Sequence, residues 1–105
     1  MRVYLSGPMT GYPLHNYPAF REAREQLRAE GFDVLCPAEA GVVEGWSWAD
    51  YLRRDLVMVL QAEAIVLLRG WAGSKGALLE HHVGRELGLP SCFYGDHHHL
   101  KEHRP

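Results

Sequence analysis

Ala64-Ile65-Val66-Leu67-Leu68 is the most apolar run in the chain, and it limits the possible folds more than any other feature. A strand that is apolar on both faces must be covered on both faces, as the central strands of parallel sheets are. Three weaker runs are of similar length. Arg2-Val3-Tyr4-Leu5-Ser6 ends at Gly7-Pro8, Phe32-Asp33-Val34-Leu35-Cys36 ends at Pro37, and Ser91-Cys92-Phe93-Tyr94 follows Leu89-Pro90. Longer amphipathic stretches separate them. The first opens near Pro18, carries Phe20, Ala23 and Leu27 on one face, and stops at Gly31. The second has Ser47 as N-cap with Asp50 three residues on, and turns Leu52, Leu56, Val59 and Leu60 inward. The third runs from about Gly76 through Leu87, with Leu79, Val83 and Leu87 as its apolar positions.

The order β-α-β-α-β-α-β predicts an α/β fold. The expectation is a single-domain flavodoxin/Rossmann-like three-layer sandwich with a four- or five-stranded parallel sheet, in strand order 2-1-3-4. At 105 residues the chain suits one core. Residues 1–94 form the predicted domain, and 95–105 a polar C-terminal tail that is loose or a short terminal helix. Eleven basic against 13 acidic residues give a net charge of −2, which argues against binding a nucleic-acid polymer. No apolar run approaches a membrane span, and the N-terminus lacks the pattern of a signal peptide. Cys36 and Cys92 lie far apart without CxxC spacing, which suits a reducing, cytoplasmic setting.

Ligands of open parallel sheets gather beyond the carboxyl ends of the strands. There the chain offers Ser6-Gly7-Pro8-Met9-Thr10-Gly11-Tyr12 after the first strand and Arg69-Gly70-Trp71-Ala72-Gly73-Ser74-Lys75-Gly76 after the third. Glycines and hydroxyls in the first loop allow close backbone approach, although a plain Gly-Pro turn has the same composition. The second loop feeds a helix whose free N–H groups suit an anion, although Lys75 is equally well read as a solvated surface charge. Glu80 stands three and seven residues before Val83 and Leu87, which puts a carboxylate on the inward helix face. Such a charge is costly unless it is used or paired, with Arg53, Arg54 or Arg85 as candidate partners. Asp55 flanks the inward stripe of the second helix and is either a second site carboxylate or the partner of a neighbour. Adjacent His81 and His82 point about 100° apart and share no metal face. His97, His98, His99 and His103 offer only loose nickel or zinc binding, and no spacing matches a structural or catalytic metal. No cofactor is expected. Trp46, Trp48 and Trp71 lie in or near loops, where each stacks on a ligand or closes a subunit interface.

Tyr4-Leu5-Ser6-Gly7-Pro8-Met9-Thr10-Gly11, Asn16-Tyr17-Pro18-Ala19-Phe20, Arg53-Arg54-Asp55-Leu56, Gly70-Trp71, and Ser74-Lys75-Gly76-Ala77 with Glu80-His81-His82 together resemble an uncharacterised phage and bacterial family. That family is similar to nucleoside 2-deoxyribosyltransferases and to 2′-deoxynucleoside 5′-phosphate N-hydrolases, and the resemblance extends to about Tyr94. It implies an enzyme of the N-glycosidic bond in nucleotide metabolism. The position of Glu80 is that of the nucleophile, Asp55 that of the residue assisting the leaving base or positioning the sugar, and Tyr4 that of the residue orienting the nucleophile. Ser6, Gly7, Pro8, Met9, Asn16, Gly70, Trp71, Ser74 and Gly76 become the expected substrate-binding residues, with Asn16, Tyr12 and Glu39 as candidates for reading the base. Transferases of the superfamily commonly carry Asp six residues before that Glu and phosphohydrolase-like members carry Ser. Ser74 therefore points to a 2′-deoxynucleoside 5′-monophosphate. The alternatives are deoxyribosyl transfer between bases and a nucleotide-sequestering protein without catalysis. Relatives often have Asp at the start of the third strand, where this chain has Glu63. The expected partner is a small nucleotide or nucleoside, and the resemblance implies a homodimer or higher homo-oligomer.

Overall fold

A computed structural model describes residues 1–103, and their side chains as far as Leu100. Four strands, β1 (Arg2–Ser6), β2 (Asp33–Leu35), β3 (Ala64–Leu67) and β4 (Ser91–Phe93), form one parallel sheet in the order β2-β1-β3-β4. This is the predicted order. Helices α1 (Tyr17–Ala29), α2 (Pro37–Ala40), α3 (Trp48–Gln61) and α4 (Lys75–Glu86) connect the strands. Short 3-10 turns occupy Pro13–Asn16, Trp71–Gly73 and His97–His103. The four-residue α2 escaped the sequence reading because it is too short to show a period.

Side chains alternate across the sheet, and the two sets build two cores. Val3, Leu5, Val34, Ala64 and Val66 pack with Phe20, Ala23 and Leu27 of α1. Tyr4, Ile65 and Leu67 pack on the other face with Val59 of α3, and with Leu56 and Val83 beside them. Burying an apolar side chain of the size of Phe20 or Leu27 contributes about 1.5–3 kcal/mol, so α1 is held chiefly by its inward stripe.

Two helix faces differ from expectation. Leu60 is 62% exposed, and Leu79 and Leu87 are also exposed. On α4 the buried positions are Ala77, Glu80 and Gly84, because this helix lies so close to β3 that a Cβ at Gly84 would collide with the Ile65 side chain. Small residues therefore face the sheet, and the leucines turn outward.

Of the two expectations for the C-terminal segment, a loose tail or a short terminal helix, the structure has the second, a 3-10 helix over His97–His103. Leu100 is fully buried in the α1-side core, and His97 is buried against Glu30, with its Nε2 3.1 Å from Glu30 Oε1. Glu30, His97 and His98 bring possible metal-ligating atoms within 4.8 Å of one another. His97 Nδ1, however, accepts from Gly95 N–H at 3.1 Å, which leaves the proton on Nε2, the atom a metal would need. The histidine thus works as a hydrogen-bonded tie between the segment and α1. The side chain of His103 lies outside the described residues. Among the described residues, Cys36 and Cys92 are free thiols and no helix is long and apolar enough to cross a membrane.

Candidate active site

Tyr4 and Ser6 are two residues apart on β1 and so share the sheet face that α3 and α4 cover. Ser6 ends the strand, and its Oγ–H donates to Glu80 Oε1 at 2.7 Å in a fully buried contact. Glu80 reaches this position because α4 begins at Ser74, whose Oγ caps the helix by accepting from Ala77 N–H at 3.2 Å. The carboxylate therefore lies on the second turn of α4, 5% exposed, facing the end of β1. Of the three arginines considered as its partners, Arg53 lies 3.9 Å from Asp50 and Arg54 lies beside Asp55, and among the described residues no ion pair joins Glu80 to Arg85.

Glu80 forms part of the wall of a cleft of about 860 Å³ between the β1 and β3 loops, α3, and the start of α4. Gly7, Pro8, Met9, Gly70, Ser74, Gly76 and Asp55 line the same cleft, as do Thr10, Tyr12, His15 and Tyr17. Trp48, Tyr51, Leu52 and Asp55 stand at i, i+3, i+4 and i+7, so α3 presents one continuous face to it. That spacing was the signal that could have found Tyr51, and the inward stripe chosen from sequence ran along a neighbouring face. Arg54, His15 and Val42 also line the cleft, and no sequence pattern distinguished them.

Other expected residues have different places. Tyr4 is fully buried behind Glu80, and its hydroxyl makes no hydrogen bond of good geometry among the described residues. Asn16 supports the β1 loop by donating from Nδ2 to Pro8 O at 2.9 Å. Trp71 lies outside this cleft, beside a smaller hollow, with its ring tilted against that of His81 and the centroids 4.8 Å apart. Glu39 faces Arg28 at 2.6 Å and Arg24 at 3.6 Å, which leaves it unsuited to reading a base. Glu63 accepts from the backbone N–H of Arg2 at 2.8 Å, at the amino end of β1 and opposite the cleft.

Backbone geometry keeps the cleft open. Gly70 has φ +87°, and a Cβ there would lie 2.7 Å from the Tyr12 hydroxyl. Gly7 passes so close to β3 that its Cβ would lie 2.8 Å from Leu68 Cβ. Both loops thus need glycine, for conformation in one case and for space in the other.

Burial sets the electrostatics. Desolvation raises the Glu80 carboxyl to about 7. The Ser6 hydrogen bond opposes that rise, Asp55 adds to it, and the nearby Tyr4 phenol opposes it. Asp55 is raised to about 6 by burial against the opposing charge of Arg54. Tyr4 is pushed well above its usual value by burial and by the two carboxylates. At neutral pH the site therefore holds two acids able to exchange protons and a phenol that stays protonated. Paired carboxylates of this kind can supply a nucleophile and a proton donor.

Fold and cleft together define a single-domain parallel α/β protein with a cleft at the carboxyl ends of its strands and two largely buried carboxylates on its wall. The chain belongs to the family described as Domain of unknown function (DUF4406), whose model matches residues 1–93. No curated protein matches at a significant level. Two solved structures share the fold. A 2-deoxyribosyltransferase from the psychrotolerant bacterium Bacillus psychrosaccharolyticus is 21% identical with a TM-score of 0.71, covering 89% of this chain and 71% of that one. A 2-deoxyribosyltransferase from Leishmania mexicana is 16% identical with a TM-score of 0.69, covering 88% of this chain and 62% of that one. The chain thus spans less than two thirds of the Leishmania protein.

Proposed function

We propose that the protein cleaves the N-glycosidic bond of a 2′-deoxynucleoside 5′-monophosphate, with Glu80 as the nucleophile. The observation that carries this reading is the Glu80 carboxylate, buried on the cleft wall and oriented by Ser6 Oγ at 2.7 Å. Ionised Glu80 attacks C1′ of the deoxyribosyl group. The C1′–N bond breaks as charge builds on the sugar, and the electron pair leaves with the base. Asp55, which titrates at about 6, assists by giving the base a proton or by holding the sugar. Tyr4 lies behind Glu80 and orients it. Water then resolves the sugar–Glu80 ester and restores the carboxylate.

The anionic end of the substrate is assigned to the start of α4. Ser74 occupies a place where a carboxylate would repel a phosphate. Lys75 Nζ sits 4.4 Å from the centroid of the Trp48 ring, at the same end of the cleft. Deoxyribosyl transfer to a second base is the competing reading, favoured by the shared fold with the two deoxyribosyltransferases. Both chemistries use the same ester, and they differ in what resolves it. The same reading has a cytoplasmic protein that forms a homodimer or larger homo-oligomer, supported by its unpaired cysteines and exposed apolar residues.

Incubation with deoxynucleoside monophosphates, followed by chromatography of free base, tests the proposal. Base release by the wild-type protein, lost in Glu80→Ala, is the expected result. Product that forms only when a second base is added assigns transfer instead. Tight binding without release in either protein overturns both chemistries in favour of sequestration.

A further inference from the structure

Arg54 is the cleft residue whose surroundings the chemistry above leaves unexplained. Its guanidinium carbon lies 5.3 Å from the Trp46 ring centroid and 5.2 Å from that of Tyr51. Nη1 donates to Gly41 O at 2.8 Å, and Nε lies 3.5 Å from Asp55 Oδ1. The Tyr51 hydroxyl meets the backbone of Val43 at 2.9–3.0 Å. Among the described residues, these contacts from Arg54 and Tyr51 are the hydrogen bonds that tie residues 41–46 to α3. The segment is otherwise largely exposed, with Val42 at 67%, yet Gly41 and Val42 form one wall of the cleft.

We propose that Arg54 is a positioning residue with two tasks: it fastens the Gly41–Trp46 segment to α3 as a wall of the cleft, and it holds a fixed positive charge against Asp55. The inference rests on the reading of Asp55 as a site carboxylate. Arginine suits both tasks. Its plane stacks on aromatic rings and reaches a carbonyl in a fixed direction, and it does not lose its proton in a partly buried setting. Asp55 Oδ1 and Arg54 Nε are both buried, and neither makes a hydrogen bond among the described residues. The arginine thus supports the carboxylate by charge, across a separation of 3.5 Å. Two other titratable groups act on Asp55. Glu80 on α4 repels it, and the Tyr4 phenol on β1 lies close enough to feel its charge.

The test combines carboxyl-carbon NMR titration of Asp55 with kinetics on a deoxynucleoside monophosphate, in wild type, Arg54→Met and Arg54→Lys. In Arg54→Met the midpoint of Asp55 is expected to rise by about one pH unit, because the opposing charge is gone. Arg54→Lys restores the midpoint but not the tether, since an ammonium lacks the planar fork. KM therefore rises several-fold in both variants, while the pH profile of kcat moves only in Arg54→Met. An unchanged Asp55 midpoint in a folded Arg54→Met protein overturns the inference, as do identical profiles for the two variants. Should Arg54→Met fail to fold, an Arg54→Lys protein with unchanged KM also overturns it. If the wild-type protein releases no base, the glycosidic reading fails, and the titration still decides the charge role of Arg54.

Discussion

Exchanging Glu80 for Gln removes a charge that the fold disfavours and keeps nearly the same shape. Glu80 is 5% exposed, and its carboxyl is raised from 4.5 to about 7. The folded chain holds that proton more tightly than the unfolded chain does. Stability from this group is therefore greatest in acid and is lost as pH rises from about 4.5 through about 7. A difference of roughly 2.5 pH units amounts to about 3 kcal/mol at pH 8, and to about 1 kcal/mol at pH 5. Glutamine keeps a carbonyl oxygen for the Ser6 hydroxyl and brings two amide N–H donors into the buried site, a change that is the same at every pH. Relative to wild type, Glu80→Gln should therefore gain about 2 kcal/mol more stability at pH 8 than at pH 5, a difference of roughly 10 °C in Tm. Urea unfolding of both proteins at the two pH values measures it. A stability difference independent of pH would refute the assignment of Glu80 as a buried, strained carboxylate. The same variant should release no base, so stability and activity move in opposite directions at one atom.

Ser6→Ala removes the hydrogen bond that favours the ionised form of Glu80. The rise of base release with pH should then move upward by about one unit, as a pH–rate profile would show. Gly7→Ala places a methyl 2.8 Å from Leu68 Cβ, so β1 and β3 must separate. Thermal unfolding should show a loss of about 1–3 kcal/mol, and a neutral result would mean that the loop relaxes freely.

Several parts of the candidate site were legible in the chain because local rules act there. Ser47 and Asp50 form the capping box that their spacing announces, and Ser74 caps α4 just before the turn that carries Glu80. The inward direction of Glu80 followed from its three- and seven-residue spacing to Val83 and Leu87, although Leu87 itself is exposed. The aromatic wall was less legible. Trp48 and Tyr51 lie on α3, but the approach of Trp48 to Lys75 depends on how α3 packs against α4, and that of Tyr51 to Trp46 on how the 41–47 loop folds back. Trp71 shows the limit from the other side. It sits between cleft loops in sequence, yet its short 3-10 turn directs it toward His81 and away from the cleft.

The order of elements, the parallel sheet and the loops that could hold a ligand were fixed by apolar periods and helix caps, which act between near neighbours in the chain. Whether Glu80 met an arginine or a serine, and whether it gave up its proton easily or reluctantly, depended on residues 74 positions apart being pressed together out of water. Desolvation depends on everything that surrounds a group in space, and only the packed sheet and helices supply that surrounding.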